Sequence, residues 1–577
     1  QDFERARSRS PSGGSGRRGA APRAGAMLSS MATVLRSVCA SGGDACESPP
    51  SSLSQQSAPR FVPQQRAQRS STQHRAMGQI MMDRREPALD FSTFNDDDEI
   101  ASSAKPAAAA ASAAAAGQPE PEVSSQGPVS VSTRIEYAAL PRGRAQDIFG
   151  IVTLQAEAED AATSGAEQRQ PLDLMCVLDV SGSMTGEKLE LVKKAVRFVI
   201  EESHSTDRVS IVTFNSEAAR PLRLCRMDVQ GKSEAIASTY RLCAGGGTRI
   251  ASGLEAAMQV AERRRHRSPV SAILLLTDGQ DGSSARGYAS MLARAQRAGC
   301  SLYAFGFGAD HDSRLLSDLA EQAQTPFTFV EDVGQIGAAF AGAVGGLASV
   351  VAQNVKVVLD CQATVKAVHT PFAVSREGTR VVIEIPDLLA GERRDVLVEL
   401  SVPEETGAIH EACLLRASAQ YFGLAAGAVA QTQAVDMVLQ RTTSDEPQPE
   451  MEPDEEVVSQ RHRVEVAQSL QDATAHGDAG RFQDAQQLLA AQAAKMKGSK
   501  KRSAVSEGLV LELEDAQNRM QSRSSWQNGG SAELRDAMQM HRMQRATNVS
   551  MSSACSNEKR SKAMYLTKGQ QEWVSKA

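Results

Sequence analysis

The sequence predicts an α/β fold, a doubly wound and mainly parallel sheet, with an adjoining antiparallel β-sandwich and a C-terminal helical unit. Three observations predict it. Between residues 171 and 347 short apolar runs alternate with amphipathic stretches of helical period, the rhythm of a parallel sheet covered by helices. From 348 to 441 β-like runs follow one another with only turn signals between them. Beyond 457 apolar residues return at helical spacing.

Composition sets the limits of order. Aromatics make up only 4% of the 577 residues, and residues 1–127 are so poor in large apolar side chains that burial cannot offset the entropy of ordering them. This stretch reads as a disordered, low-complexity region containing the spacer Ala107–Ala116. Within it Leu89–Glu99 places two aromatics ahead of an acidic cluster; it reads as a solvated linker, with a docking motif as the alternative. Met27 and Met31 are candidate initiators, and the residues after them have some of the bias of an organellar transit peptide. The plainer expectation is a cytoplasmic protein. Nine scattered cysteines without a Cys-x-x-Cys pair read as free thiols, which fits a reducing compartment. No run reaches the ~18 apolar residues of a membrane span. A net charge of −6 gives no ground for nucleic-acid binding.

Order is expected from 128. Val129–Glu136 alternates weakly and Ile148–Ala156 reads as a strand, so 128–170 supplies two strands without partners in the α/β domain. They are expected to join the later sandwich, which makes the α/β domain, 171–347, an insertion. Its strands are predicted at 173–179, 208–214, 271–277, 301–307 and 327–330. Its helices are predicted at 187–202, 232–242, 249–265, 286–298, 312–322 and 333–347. The first helix shows the period well, with Leu189, Val192, Val196, Val199 and Ile200 on one face. An acidic, Pro-containing linker at 442–456 precedes the helical unit, 457–521, with helices at 457–475, 481–496 and 504–520. Residues 522–577 read as a mostly disordered tail.

The chemistry lies at strand ends. Asp179-Val-Ser-Gly-Ser183 follows an apolar strand and enters a helix; Ala244-Gly-Gly-Gly-Thr248 precedes another; Thr277-Asp278-Gly follows the most apolar strand. In a parallel sheet the C-terminal ends of the strands share one edge, where ligands bind. Asp179, Ser181, Ser183, Thr248 and Asp278 can therefore converge. Carboxylate and hydroxyl oxygens suit a hard cation such as Mg²⁺.

In this order the three pieces resemble the von Willebrand factor A domain with a complete metal-ion-dependent adhesion site. The resemblance implies a non-enzymatic module in which Ser181, Ser183 and Thr248 contact Mg²⁺, or Mn²⁺ or Ca²⁺, while Asp179 and Asp278 act largely through waters and hydrogen bonds. Neutral hydroxyls leave the cation electrophilic enough to accept an Asp or Glu carboxylate from a partner protein. In switchable members of the family the last helix moves; its counterpart here is 333–347.

The stretches Pro171–Met184, Leu274–Asp281, Gly306–Asp312 and Gly345–Val351 further resemble intracellular plant-type members of the family, several of which carry a RING finger and are ubiquitin ligases. Upstream of 171 only Cys39, Cys46 and His74 have zinc-binding chemistry, and a RING needs closely spaced ligand pairs. Ligase activity is therefore not carried over, and the alternative is a scaffold or substrate-recognition subunit of a ligase or another multiprotein complex. A minor alternative is a haloacid-dehalogenase-like phosphatase. Its acid would stand at Ser181, which cannot protonate a leaving group as a carboxyl does.

Other residues have plainer readings. His311 is expected in a helix-entry loop capped by Asp310 and Asp312, Asp281 beside Asp278 as a residue that shapes the loop or assists the site through a water, and the basic run 263–267 as a solvated helix end.

Overall fold

The computed structural model describes residues 97–99, 127–143, 145–158, 169–278, 281, 285–308, 311–330, 335–404, 411–442, 452–499, 503–547 and 564–577. All fall within the unit Pro87–Ala577. Met27, Met31, Cys39, Cys46, His74, residues 89–96 and the Ala107–Ala116 tract lie outside them.

Three strands precede the α/β domain: β1 (Val129–Ile135), β2 (Ala139–Pro141) and β3 (Gln146–Ala156). The α/β domain contributes β4 (Leu172–Asp179), β5 (Arg208–Phe214), β6 (Ala218–Arg226), β7 (Val270–Thr277), β8 (Ser301–Phe307) and β9 (Phe327–Val330). Its helices are α1 (Glu187–Glu202), α2 (Val229–Tyr240), α3 (Ile250–Arg263), α4 (Ala289–Arg297), α5 (Ser313–Ala323) and α6 (Ile336–Ala348).

The sheet order is β6-β5-β4-β7-β8-β9, parallel throughout except for the β5–β6 pair. Every residue of β4, β5 and β7 is buried. Their unbroken apolar runs are those of strands covered on both faces. The side-chain period of two divides β4 between two cores. Leu174, Cys176 and Leu178 pack with α1 and α6, whereas Met175 and Val177 pack with α3, α4 and α5. Burial pushes the Cys176 thiol up to about 12, so it stays protonated and serves as a small apolar side chain.

β6 has no counterpart in the sequence prediction. Pro221 argues against a central strand, and the structure places β6 at the sheet edge, where a missing N–H is tolerated. The basic run is also not fully solvated: Arg264 is buried and pairs with Asp173 at 3.1 Å. Asp173 in turn takes two 2.8 Å bonds from the fully buried Arg208.

The remaining strands are β10 (Val350–Cys361), β11 (Thr364–His369), β12 (Ala373–Glu377), β13 (Arg380–Leu389), β14 (Arg393–Val402), β15 (Glu411–Gly423), β16 (Ala428–Gln431) and β17 (Val435–Thr442). One sheet has the order β1-β3-β14-β11; the other is β12-β13-β10-β15-β17-β2, with β16 beside β15. β3 pairs with β14 from Gln146↔Val402 to Gln155↔Arg393, and β2 pairs with β17. Strands from before and after the α/β domain thus share both sheets, and their inner faces form one core containing Ile148, Val152, Leu154, Val357, Leu359 and Ala417.

The helical unit consists of α7 (Glu455–Asp478), α8 (Phe482–Lys497), α9 (Ala504–Arg519) and α10 (Ser531–Met543), and a last helix, α11 (Lys568–Lys576), follows. Order therefore extends beyond the boundary expected at 521, although 548–563 lies outside the described residues. Leu534 and Met538 of α10 enter the core built by Val466, Leu470, Leu489 and Leu513, and Ala532 packs under the α/β sheet. Sequence composition underrates α10 because its apolar residues are Met and Ala apart from Leu534; tertiary contacts supply what local pattern lacks.

A buried charge cluster joins the parts. Arg545, just after α10, donates to Glu392 at 2.8 and 2.9 Å and pairs with Asp387 at 2.8 Å, while Arg394 pairs with Glu392 at 2.8 Å. Burial opposes ionisation of Glu392, and the Arg394 and Arg545 guanidiniums outweigh it, holding the carboxyl below its ordinary range. Removing one partner of such a cluster leaves a buried charge unmatched. Arg545→Met is accordingly expected to lower stability by about 3–5 kcal/mol in urea unfolding. Adding Glu392→Gln should recover part of that loss; simple additivity would show that the two groups are not coupled.

His462 on α7 is buried, its Nδ1 2.9 Å from Ser506 Oγ on α9. Burial draws its pKa below 6.5 in the fold. Between the folded value and 6.5 the unfolded chain binds more protons, so stability is complete above 6.5 and falls as pH drops through the folded value. The thermal midpoint is expected to fall on acidification below pH 6.5, and His462→Gln to flatten that slope.

Candidate functional site

β4 runs parallel to both β5 and β7, with Asp179 level with Phe214 and Leu178 level with Leu276. The chain leaves all three strands at one edge of the sheet. Two backbone bonds then bring the glycine loop to the turn after β4. Gly245 N–H donates to the Val180 carbonyl at 2.8 Å, and Gly182 N–H donates to the Gly246 carbonyl at 3.0 Å. Gly246 has φ +86°, a conformation that disfavours any residue with a Cβ. From behind, Asn215 Nδ2 donates to the Gly245 carbonyl at 2.8 Å and Gly247 N–H to Ser216 Oγ at 3.0 Å.

On this frame four of the five expected residues form one hydrogen-bonded chain, joined through the Ser181 amide and then through side-chain oxygens. Asp179 is fully buried; its Oδ1 accepts the Ser181 amide at 2.8 Å and its Oδ2 the Thr277 hydroxyl. Burial pushes the Asp179 carboxyl above its ordinary pKa, against the hydrogen bonds from Ser181 and Thr277. Ser181 Oγ lies 3.0 Å from Ser183 Oγ, which donates to Asp278 Oδ1 at 2.9 Å. The other Asp278 oxygen pairs with the Lys188 ammonium. Thr248, half-buried on the glycine loop, stands outside this chain.

Lys188, Thr277, Asn215 and Ser216 were not singled out by the sequence. Thr277 carried a signal, since it lies within the Thr277-Asp278-Gly stretch, and Lys188 only opens the helix that the first motif enters; a hydroxyl or ammonium has no assigned partner until the strands are paired. Asp281 accepts the Ile250 amide at 2.7 Å and the Tyr288 hydroxyl at 2.8 Å, so it holds the start of α3. His311 is buried, stacks on Phe329 and lies 2.6 Å from the Gly308 carbonyl, and Asp312 caps α5 through the Leu315 amide. Asp310 lies outside the described residues.

The donor set is hard: three hydroxyls and two carboxylates, with neither sulfur nor imidazole. It fits Mg²⁺ by oxygen chemistry and by the convergence of the two serines with Asp278. Among the described residues no group of three or more His, Cys, Asp and Glu has metal-binding spacing, so a cation site here depends on hydroxyls.

Residues 173–341 match the von Willebrand factor type A domain, and this part of the chain is such a domain. The chain is 36% identical over 252 residues to "E3 ubiquitin-protein ligase WAV3" of Arabidopsis thaliana, covering 41% of this chain and 32% of that protein. It is 27% identical over 309 residues to "Probable E3 ubiquitin-protein ligase WAVH2" of the same plant, covering 51% of this chain and 42% of the relative. The chain thus spans less than half of these relatives. A solved "von Willebrand factor type A from Catenulispora acidiphila" has the same fold, with a TM-score of 0.51 at 19% identity over 67% of this chain and 96% of that one.

Asn215→Ala removes the side-chain bond to the glycine loop. It is expected to cost about 1 kcal/mol and to speed amide exchange across residues 244–249. Unchanged exchange would mean that the two backbone bonds to the turn hold the loop alone.

Proposed function

We propose that Asp179, Ser181, Ser183, Thr248 and Asp278 form a Mg²⁺-dependent site that binds a carboxylate of a partner protein. The observation that carries this reading is the hydrogen-bonded run at the C-terminal edge of a parallel sheet, in which Asp179 accepts the Ser181 amide and the Ser181, Ser183 and Asp278 side-chain oxygens follow one another. A bound divalent cation supplies a Lewis acid with room for one more oxygen. Asp179 orients the turn by accepting the Ser181 amide, the serine and threonine hydroxyls offer neutral oxygens, and Asp278 adds charge. Lys188 brings a competing positive charge to Asp278. No helix among the described residues is long and apolar enough to cross a membrane.

A second reading is favoured by the plant relatives named as ubiquitin ligases. In it the same surface recognises substrates, or joins a scaffold, within a ubiquitin-ligase assembly.

Calorimetric titration of the full chain with Mg²⁺ is expected to show one site that Asp179→Ala and Ser183→Ala abolish. Lys188→Met should tighten that site several-fold by removing the competing charge. Partners captured by the wild type should be released by EDTA and not captured by Asp179→Ala. Capture indifferent to both would refute the reading, and ubiquitin-ligase activity in the released fraction would select the assembly form of it.

A further inference from the structure

The described residues of the acidic cluster, 97–99, take no part in the candidate metal site. Asp98 lies against the other end of the sheet, where Arg208 opens β5 and the outer edge of β6 faces away from β5. An edge strand presents backbone donors and acceptors that an added strand can use. Asp98 uses them: its N–H donates to the Leu224 carbonyl at 3.1 Å, and its Oδ2 accepts the Arg226 N–H at 2.9 Å.

Arginine side chains complete the contact. Arg223 donates to Asp98 Oδ1 at 2.6 Å, Arg208 donates to the Asp98 carbonyl at 2.7 Å, and the Arg220 guanidinium lies 3.8 Å from the Asp97 carboxylate. Arg208 is preset for this role. Its Nε and one terminal nitrogen bond Asp173, and the latter also bonds the His266 carbonyl at 2.8 Å, leaving the other terminal nitrogen to point at Asp98. The receptor groups all belong to β5 and β6 and are held by the α/β fold itself. From the acidic segment the contact requires one backbone N–H, given to Leu224, and a short carboxylate that reaches Arg223 and the Arg226 amide together. That is recognition of an exposed strand edge by one backbone bond and charge-assisted side-chain hydrogen bonds.

We propose that the outer edge of β6, with Arg208, Arg220 and Arg223, is a receptor for an extended Asp-rich peptide of a partner protein, and that Asp97–Glu99 is its tethered competitor. Residues 100–126 join that competitor to β1, so its effective concentration at the edge is of order millimolar. A free peptide of the same sequence competes poorly until the segment is removed. The receptor is independent of the metal site, because it uses no residue of it and its contacts to Asp98, through Arg208, Leu224 and Arg226, lie at the opposite end of the strands.

The test uses the full chain and a fluorescein-labelled peptide with the sequence of residues 89–101, followed by anisotropy. Asp97→Ala/Asp98→Ala is expected to bind the peptide at least about tenfold more tightly than wild type. In that background Arg223→Glu and Arg223→Gln should each weaken binding about tenfold or more, as should Asp→Asn at the peptide position equivalent to Asp98. Circular dichroism checks the folding of each variant, and the Gln variant serves should the Glu variant unfold. Binding is expected to weaken with salt and to be unaffected by EDTA or by Asp278→Ala. Equal affinity for wild type and double variant, indifference to both Arg223 substitutions, or loss of binding in EDTA would overturn the proposal. Loss in EDTA would instead assign the peptide to the metal site.

Discussion

Parallel pairing of β4 with both β5 and β7 is the constraint on which the candidate site depends. A one-residue slip would send Leu174, Cys176 and Leu178 to the wrong core, so the register is held by the hydrophobic effect on both faces. Once it is held, the ends of the three strands lie level, and Thr277 can reach Asp179. The turn after β4 and the glycine loop then need only two backbone bonds to meet. Buried apolar residues well away from the oxygens are thus what place the oxygens.

The α/β domain is carried in a frame that the rest of the chain closes around it. β3 leaves the sandwich, and β10 returns to it directly after α6. α6 is covered from outside by α11: the Trp573 side chain lies where a Cβ at Gly345 would fall, and Gln570 Nε2 bridges the Gly342 and Ala546 carbonyls at 3.1 and 3.0 Å. The helix whose counterpart moves in switchable members of the family is here packed between the sheet and the C-terminal helix. Arg545 ties the same region to Glu392 and Asp387 of the sandwich. Those charges are out of water, so they tolerate little displacement.

Much of the α/β domain was legible because its signals are local. Continuous apolar runs mark β4, β5 and β7, and the 3.6-residue period of Leu189, Val192, Val196 and Val199 marks α1. β6 was not legible, since Pro221 and alternating arginines look like loop until an edge position makes both acceptable. Nor was α10, whose stability comes from contacts with α7 and with the α/β domain. At the site the oxygen-bearing residues stood out by motif. Lys188, Asn215 and Ser216 did not, because their roles depend on partners 90, 30 and 31 positions away.

The sequence by itself determined the class of the central domain, the donor chemistry offered at its strand ends and the need of the early strands for partners elsewhere. Periodicity and residue chemistry are properties of short stretches, so they survive without coordinates. Tertiary structure alone decided that Ser183 meets Asp278, that Lys188 shares that carboxylate, that Thr248 stands outside the hydrogen-bonded chain, and that Asp98 lies along β6. Each of these is a contact between distant segments, governed by sheet order, register and the burial of charge, and no local pattern encodes it.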